Sequence, residues 1–290
     1  MPNRILRSLL ALALLPAAPA QIRTLIVDGQ NNHDWKTTTP VLQRLLEQTG
    51  RFQVEVATSP AKKEGIGAFA PEFAKYKLVV LNYNGQLWQD STREAFLAFV
   101  RNGGGVVIYH AADNSFPEWS EYNQIIGVGG WNNRTGAAGH LVRWRDGKTV
   151  REETPGNTGH HGGRKPFLVT IRDPKHPIVK GLPAVWMHAE DELYDSLRGP
   201  AQQLDVLATA LSSKDNKGTG ENEPMLMAIR FGKGRIFHTT MGHDLRAMSC
   251  TGFIATYQRG AEWAATGKVT QRVPADFPKA DQPTCRTPFP

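Results

Sequence analysis

The sequence predicts an open, mostly parallel, doubly wound α/β sheet that carries a β-rich insertion. The order of elements is the first reason, since residues 22–109 read strand, helix, strand, strand, helix, strand. The second is apolar continuity: "YKLVVLNY" and "GGGVVIYH" hold unbroken apolar runs, as strands covered on both faces do. The third is the polar loop that follows each of these strands. In open α/β sheets, ligands sit at the carboxyl ends of strands.

The first twenty residues stand apart from this pattern. Arg4 and Arg7 precede the short apolar core "LLALALLP", and "AAPA" ends the run. This is the layout of a secretory signal peptide, too short in its apolar core to span a bilayer, so the chain is expected to be exported, periplasmic or secreted further. The formal charge of +7 falls to +5 once Arg4 and Arg7 leave with the signal. No Lys/Arg run reaches five residues, so no nucleic-acid footprint is predicted.

In the mature chain, "IRTLIV" is the first strand. "TTTPVLQRLLEQTG" is a helix with Thr39 and Pro40 at its start, Gly50 at its stop, and Val41, Leu42, Leu45 and Leu46 as one apolar stripe. "RFQVEVAT" alternates as a strand, and "AFAPEFAKY" is an irregular crossover to "YKLVVLNY". "DSTREAFLAFVRNGG" is a helix with Ser91 and Glu94 at capping-box spacing, and residues 106–109 form the next strand. Beyond residue 116, "PEWSEYNQIIG" reads as a short helix and "HLVRWRDGKTVREE" as a hairpin turning at Asp146-Gly147. "TPGNTGHHGGRKP" is a long glycine-rich loop, "FLVTIRD", "DELYDSL" and "LDVLATAL" are strands, and "EPMLMAIRFGKGRIFHTTMG" is a hairpin pair. "SCTGFIATYQRGAEWAATG" is the last helix, so residues 21–270 form one domain. Residues 271–290 are a proline-rich tail. Cys250 and Cys285 either form a disulfide that ties down this tail or remain separate thiols; spacing does not decide between the two.

Chemistry-bearing side chains gather where strands end. His33 and Asp34 follow the first strand, Asn82 and Asn84 the third, and His110 and Asp113 the fourth; His188, Glu190 and Glu192 lie in "MHAEDELY", and His243 and Asp244 follow "RIFHTTMG". The turn after "VVIY" holds no Ser or Cys, which excludes a nucleophile at that position. Histidines and carboxylates converging on one rim suit proton transfer, because imidazole can donate or accept a proton near neutral pH. His110 and His243 are therefore the predicted proton-transferring pair, with Glu190 or Glu192 orienting one of them. His33, Asp34, Trp35, Asn82, Asn84, Asp113 and Asp244 are predicted to contact substrate. Trp88, Trp119 and Trp131 are further stacking candidates, and Asn123 a further hydroxyl-binding one. His160 and His161, in the glycine-rich loop, are read as plain disorder with a lid as the alternative, His176 as a turn former, and His140 and His238 as structural. A borderline divalent ion such as Zn²⁺ or Mn²⁺ is a rival use of the same His and carboxylate side chains, although no local ligand spacing marks one.

"NHDW", "GGGVVIYHAA", "KHPIVKGLP", "EDELY" and "GKGRIFHTTMGHD", in that order across nearly the whole mature chain, resemble the ThuA-like family. The resemblance implies a flavodoxin-like, class I glutamine-amidotransferase-like fold, with the turn after "VVIY" a relic of the amidotransferase nucleophile elbow. With the cysteine missing there, glutamine hydrolysis is not expected. It also implies a role in sugar catabolism on 3-keto derivatives of disaccharides and glycosides, with a small carbohydrate as the partner. A non-catalytic carbohydrate-binding protein and a metal-dependent sugar hydrolase are the alternatives. The sequence defines no oligomeric state.

Overall fold

The computed structural model describes residues 20–200 and 202–286, so the signal-like segment, all but its last residue, lies outside the described residues. The first half follows the predicted order: β1 (Ile22–Asp28), α1 (Trp35–Glu47), β2 (Phe52–Thr58), β3 (Leu78–Leu81), α2 (Asp90–Arg101) and β4 (Gly105–Tyr109). Next come α3 (Ser120–Ile126), β5 (His140–Arg145), β6 (Lys148–Glu152), β7 (His160–His161), β8 (Lys165–Ile171) and β9 (Val185–Asp191). The chain continues through β10 (Tyr194–Asp195), β11 (Arg198–Gly199), β12 (Leu204–Leu211), β13 (Asn222–Phe231) and β14 (Gly234–Thr239), then ends with α4 (Leu245–Ser249) and α5 (Thr251–Thr266).

One large sheet runs β2-β1-β3-β4-β14-β13-β12-β8-β9. From β2 to β14 all neighbours are parallel, and from β14 to β9 all are antiparallel. Two expectations are thereby corrected. The sheet is half parallel, not mostly so, because β13 returns from β14 by a tight hairpin and needs no crossover helix. The β-rich stretch is not wholly an insertion, because β8, β9, β12 and β13 continue the main sheet. "DELYDSL" is not a full strand either: it holds only the last residue of β9 and the two-residue β10, and breaks where Ser196 adopts a left-handed φ of 57°. The long strand there is β9, just upstream.

The two-sided reading of the strands holds. In β3, Leu78 and Val80 enter one core, with α1 and α5, while Val79 and Leu81 enter the other, with α2 and α3. The hairpin β5–β6 turns at Asp146 (φ 48°) and Gly147 (φ 75°), the paired positive values that an Asp-Gly turn supplies. No helix among the described residues is long and apolar enough to cross a membrane.

The tail is extended but docked. Lys279 accepts from the amide of Met187 at 2.7 Å, and Cys250 and Cys285 face each other across an antiparallel bridge. The flanking bonds, Thr251 N to Thr284 O at 2.9 Å and Arg286 N to Ser249 O at 3.0 Å, make the cysteines a non-hydrogen-bonded pair. Such pairs have Cα atoms about 4.5 Å apart, within reach of a disulfide. The neighbouring Cys250 thiol holds the Cys285 thiol below its ordinary range, which favours thiolate attack. Oxidised protein is expected to lose both thiols to alkylation until it is reduced. Cys285→Ser should then cost about 2–4 kcal/mol in chemical unfolding under oxidising conditions.

Candidate active site

Three parallel strand ends open onto one rim. The turn after β1 carries His33, the turn after β4 carries His110, and residues 240–244 follow β14. Glu192 arrives from the opposite edge of the sheet. It follows β9, whose last residue, Asp191, accepts from the amides of Gly242 at 2.7 Å, His243 at 3.1 Å and Glu192 at 2.8 Å. Asp191 is wholly buried and also bonds His188 Nε2 at 2.8 Å. Burial opposes its ionisation, but His188 and the nearby His110 outweigh it and hold the carboxyl below the usual range. Gly242 fits because its φ is +104° and an added Cβ would lie 2.6 Å from the Phe253 ring and 2.8 Å from that of Tyr109.

Glu192 is the hub. Its carboxylate lies 3.1 Å from His243 Nε2, 3.7 Å from His110 Nε2, and 3.8 Å from both His33 Nε2 and His161 Nε2. The His33 ring meets those of His110 and His243 edge-on, with centroids 4.8 Å apart in each case. Burial penalises the Glu192 charge, yet the adjoining imidazoles of His110 and His33 hold the carboxyl far below its ordinary range. The imidazoles divide. Burial pushes His33 and His243 down, assisted by the charge of His110. At His110 burial acts the same way but is overcome by Glu192, Asp191 and the Thr240 carbonyl, and the net shift is upward.

His110 is fixed from both sides. Its backbone takes a left-handed φ of 43° as β4 gives way to a short 3₁₀ turn, a strain of about 1–3 kcal/mol for a non-glycine residue. Its Nδ1 donates to Thr240 O at 2.6 Å, which directs Nε2 toward Glu192 and the Tyr194 hydroxyl, 2.8 Å away. The Tyr194 ring stacks on it at 4.3 Å.

Above the cluster lies a cleft of about 1260 Å³. His33, His161, Glu192 and His243 line it, whereas His110 lies beneath them with its side chain 2% exposed. Asp34, Trp35, Asn84 and Asp244 also line it, as expected, together with Trp131. Asp34 caps α1 and Asp244 caps α4, where it also pairs with Arg164 at 2.6 Å. Six residues are placed otherwise than expected. Asn82 is buried and donates to the hydroxyls of Thr38 and Thr39. Asp113 is buried 3.3 Å from His238 Nε2. Glu190 turns outward to Arg246 at 2.8 Å, leaving Glu192 as the carboxylate of the site. Trp88 and Trp119 are core residues, and Asn123 bonds backbone carbonyls around α3, including Trp119 O at 2.9 Å.

Sequence reasoning missed three members. His161 was read as loop, but β7 pairs with β10 and sets it beside Tyr194, while His160 Nδ1 anchors that ladder to Asp195 at 3.1 Å. The adjacent histidines inside a long glycine-rich loop were the available signal. Tyr194 and Asp191 were present within "EDELY", but nothing in the sequence separated their roles. One atom each from His33, His110 and Glu192 lies within 4.8 Å of the others, the only such donor group among the described residues.

Asp191 is the keystone of this arrangement. Asp191→Ala leaves His188 and three amides without their acceptor, and should cost about 3–5 kcal/mol, read as a lower denaturant midpoint with an unchanged slope.

The family described as ThuA, trehalose utilisation, matches residues 23–264. A ThuA-like protein from Parabacteroides merdae is 48% identical, covering 92% of this chain and 98% of that one, with a TM-score of 0.90. A second, from Bacteroides uniformis, shares the fold at 19% identity, covering 88% and 97% of the two chains with a TM-score of 0.56. No curated protein matches. From the span of the family match and the closeness of the Parabacteroides structure, the chain belongs to the ThuA family.

Proposed function

We propose that this is an exported enzyme of carbohydrate catabolism that moves protons on a keto sugar or keto glycoside. One observation carries the reading: two cleft-lining imidazoles, His33 and His243, kept neutral by burial, flank an ionised carboxylate where the fold has no nucleophile. A ketone acidifies the C–H bonds beside it. His243, the most exposed imidazole of the His33–His110–His243 cluster, takes such a proton on the ring nitrogen that does not donate to Glu192, and the C–H electron pair passes to the ketone oxygen to give an enediolate. Return of a proton to the neighbouring carbon completes an isomerisation, while departure of a β-positioned glycosidic group from the same enolate completes an elimination. His110 acts from beneath as a positioning residue. Its charge and that of Glu192 balance, so the cleft accepts the enediolate without an uncompensated anion. Asn84 and the Trp35 and Trp131 rings supply the amide and the apolar faces that a sugar needs. Arg4, Arg7 and the apolar core after them support export.

Incubation with a 3-keto disaccharide in heavy water tests this by proton NMR. The signal beside the ketone should decay faster with protein, and His243→Ala should slow that decay by about 10²–10⁴-fold. The base must be neutral, so rate falls as pH falls, with a midpoint below the ordinary histidine value of 6.5 because burial lowers His243. Line-broadening without exchange would instead make this a carbohydrate-binding protein.

A further inference from the structure

The geometry points to a divalent metal site formed by His33 Nε2, His110 Nε2 and the Glu192 carboxylate, with His243 Nε2 at its open side. The separations support this more than they support a hydrogen-bonded cluster. His33 and His110 stand 3.8 and 3.7 Å from the Glu192 oxygen, beyond hydrogen-bond range. Ligand atoms held about 2.1 Å from a tetrahedral ion lie about 3.4 Å from one another; the three atoms here all lie within 4.8 Å of one another, so small movements of the carboxylate and the two rings bring the set to ligand spacing.

The hydrogen bond behind His110 fits as well. Metal-binding histidines commonly donate their other ring N–H to a carbonyl or carboxylate, which fixes the lone pair on the metal side. His110 does this through Nδ1 to Thr240 O at 2.6 Å. His33 lacks such a bond: its Nδ1 is buried with no hydrogen-bond partner among the described residues. In the metal-free site the Tyr194 hydroxyl, 2.8 Å away, accepts from Nε2 of the charged His110; an ion takes the place of that proton and leaves the hydroxyl beside it. Two imidazoles and one carboxylate suit a borderline ion such as Zn²⁺ or Mn²⁺. Its use rests on the enolisation reading, since an ion there would polarise the ketone oxygen and share the enediolate charge; its binding does not rest on it.

The test is metal content of untagged protein purified without chelator, followed by chelation and calorimetric titration with Zn²⁺ or Mn²⁺ alone. The inference predicts about one equivalent per chain, held by the site as a defined ligand set. His33→Ala and Glu192→Gln should each abolish binding with unchanged circular dichroism. His33 makes no structural side-chain hydrogen bond, so its variant tests the site without removing one. Tyr194→Phe should keep the metal. Absence of metal from the purified protein together with flat titrations, or stoichiometric binding that persists in both His33→Ala and Glu192→Gln, overturns the inference. Metal binding without deuterium exchange sustains it while removing the enolisation reading. Undiminished exchange by metal-free protein sustains the enolisation reading and removes the ion's part in it, while the titrations alone decide the site.

Discussion

A carboxylate held charged in a nearly closed site, Glu192 with its side chain 12% exposed, is the constraint around which this end of the molecule is built. An ionised group out of water is costly unless several partners share its charge. Here the partners come from β1, β4, β7 and β14, so the stability of the charge depends on all those strand ends meeting. Asp191 makes them meet. By accepting from Gly242 and His243 it locks the end of β9 to the exit of β14, and Glu192 follows as the next residue. The antiparallel half of the sheet thus serves the site directly: it carries the acid across to the histidines of the parallel half.

The strained turn after β4 has a related purpose. A left-handed backbone at a strand end lifts the next side chain over the sheet rim, which is why nucleophile elbows use it. This chain keeps the lift but places histidine there. Thr240 and Tyr194 then fix both ring nitrogens, so the conformation that strains the backbone also presets the imidazole. A ring buried and bonded in this way is better suited to setting charge and geometry than to meeting substrate, and the cleft-facing work falls to His33 and His243.

Much of this was legible in the sequence, for local reasons. Apolar runs and turn glycines placed α1, α2, β1 to β4 and the two hairpins; the expected caps did not, since Asp34 caps α1 with Pro40 inside the helix, and Gln89 precedes α2 with Ser91 already within it. His33, His110 and His243 were identifiable because strand-end position in an α/β sheet is set by the strands themselves. What could not be read depends on long-range pairing. Glu190 and Glu192 differ only in which way the chain turns as β9 ends, and that is settled by Asp191 contacting residues some fifty positions away. Asp113 looked like a rim residue until α3 and β14 folded over it and paired it with His238. Asn82 looked free until Thr38 and Thr39 claimed its amide. Trp88 and Trp119 had sugar-stacking chemistry, but packing against Phe96 and Tyr122 places them in the core.

The central claim is that Glu192 sets the protonation of the surrounding histidines. Histidine side-chain NMR across a pH titration, on chelated protein and on Glu192→Gln, tests it most directly. The account predicts that His110 titrates above His33 and His243 in the native protein, and that removing the Glu192 charge lowers His110 toward them. Three histidines titrating together in the native protein, or a His110 value unmoved by Glu192→Gln, would contradict it.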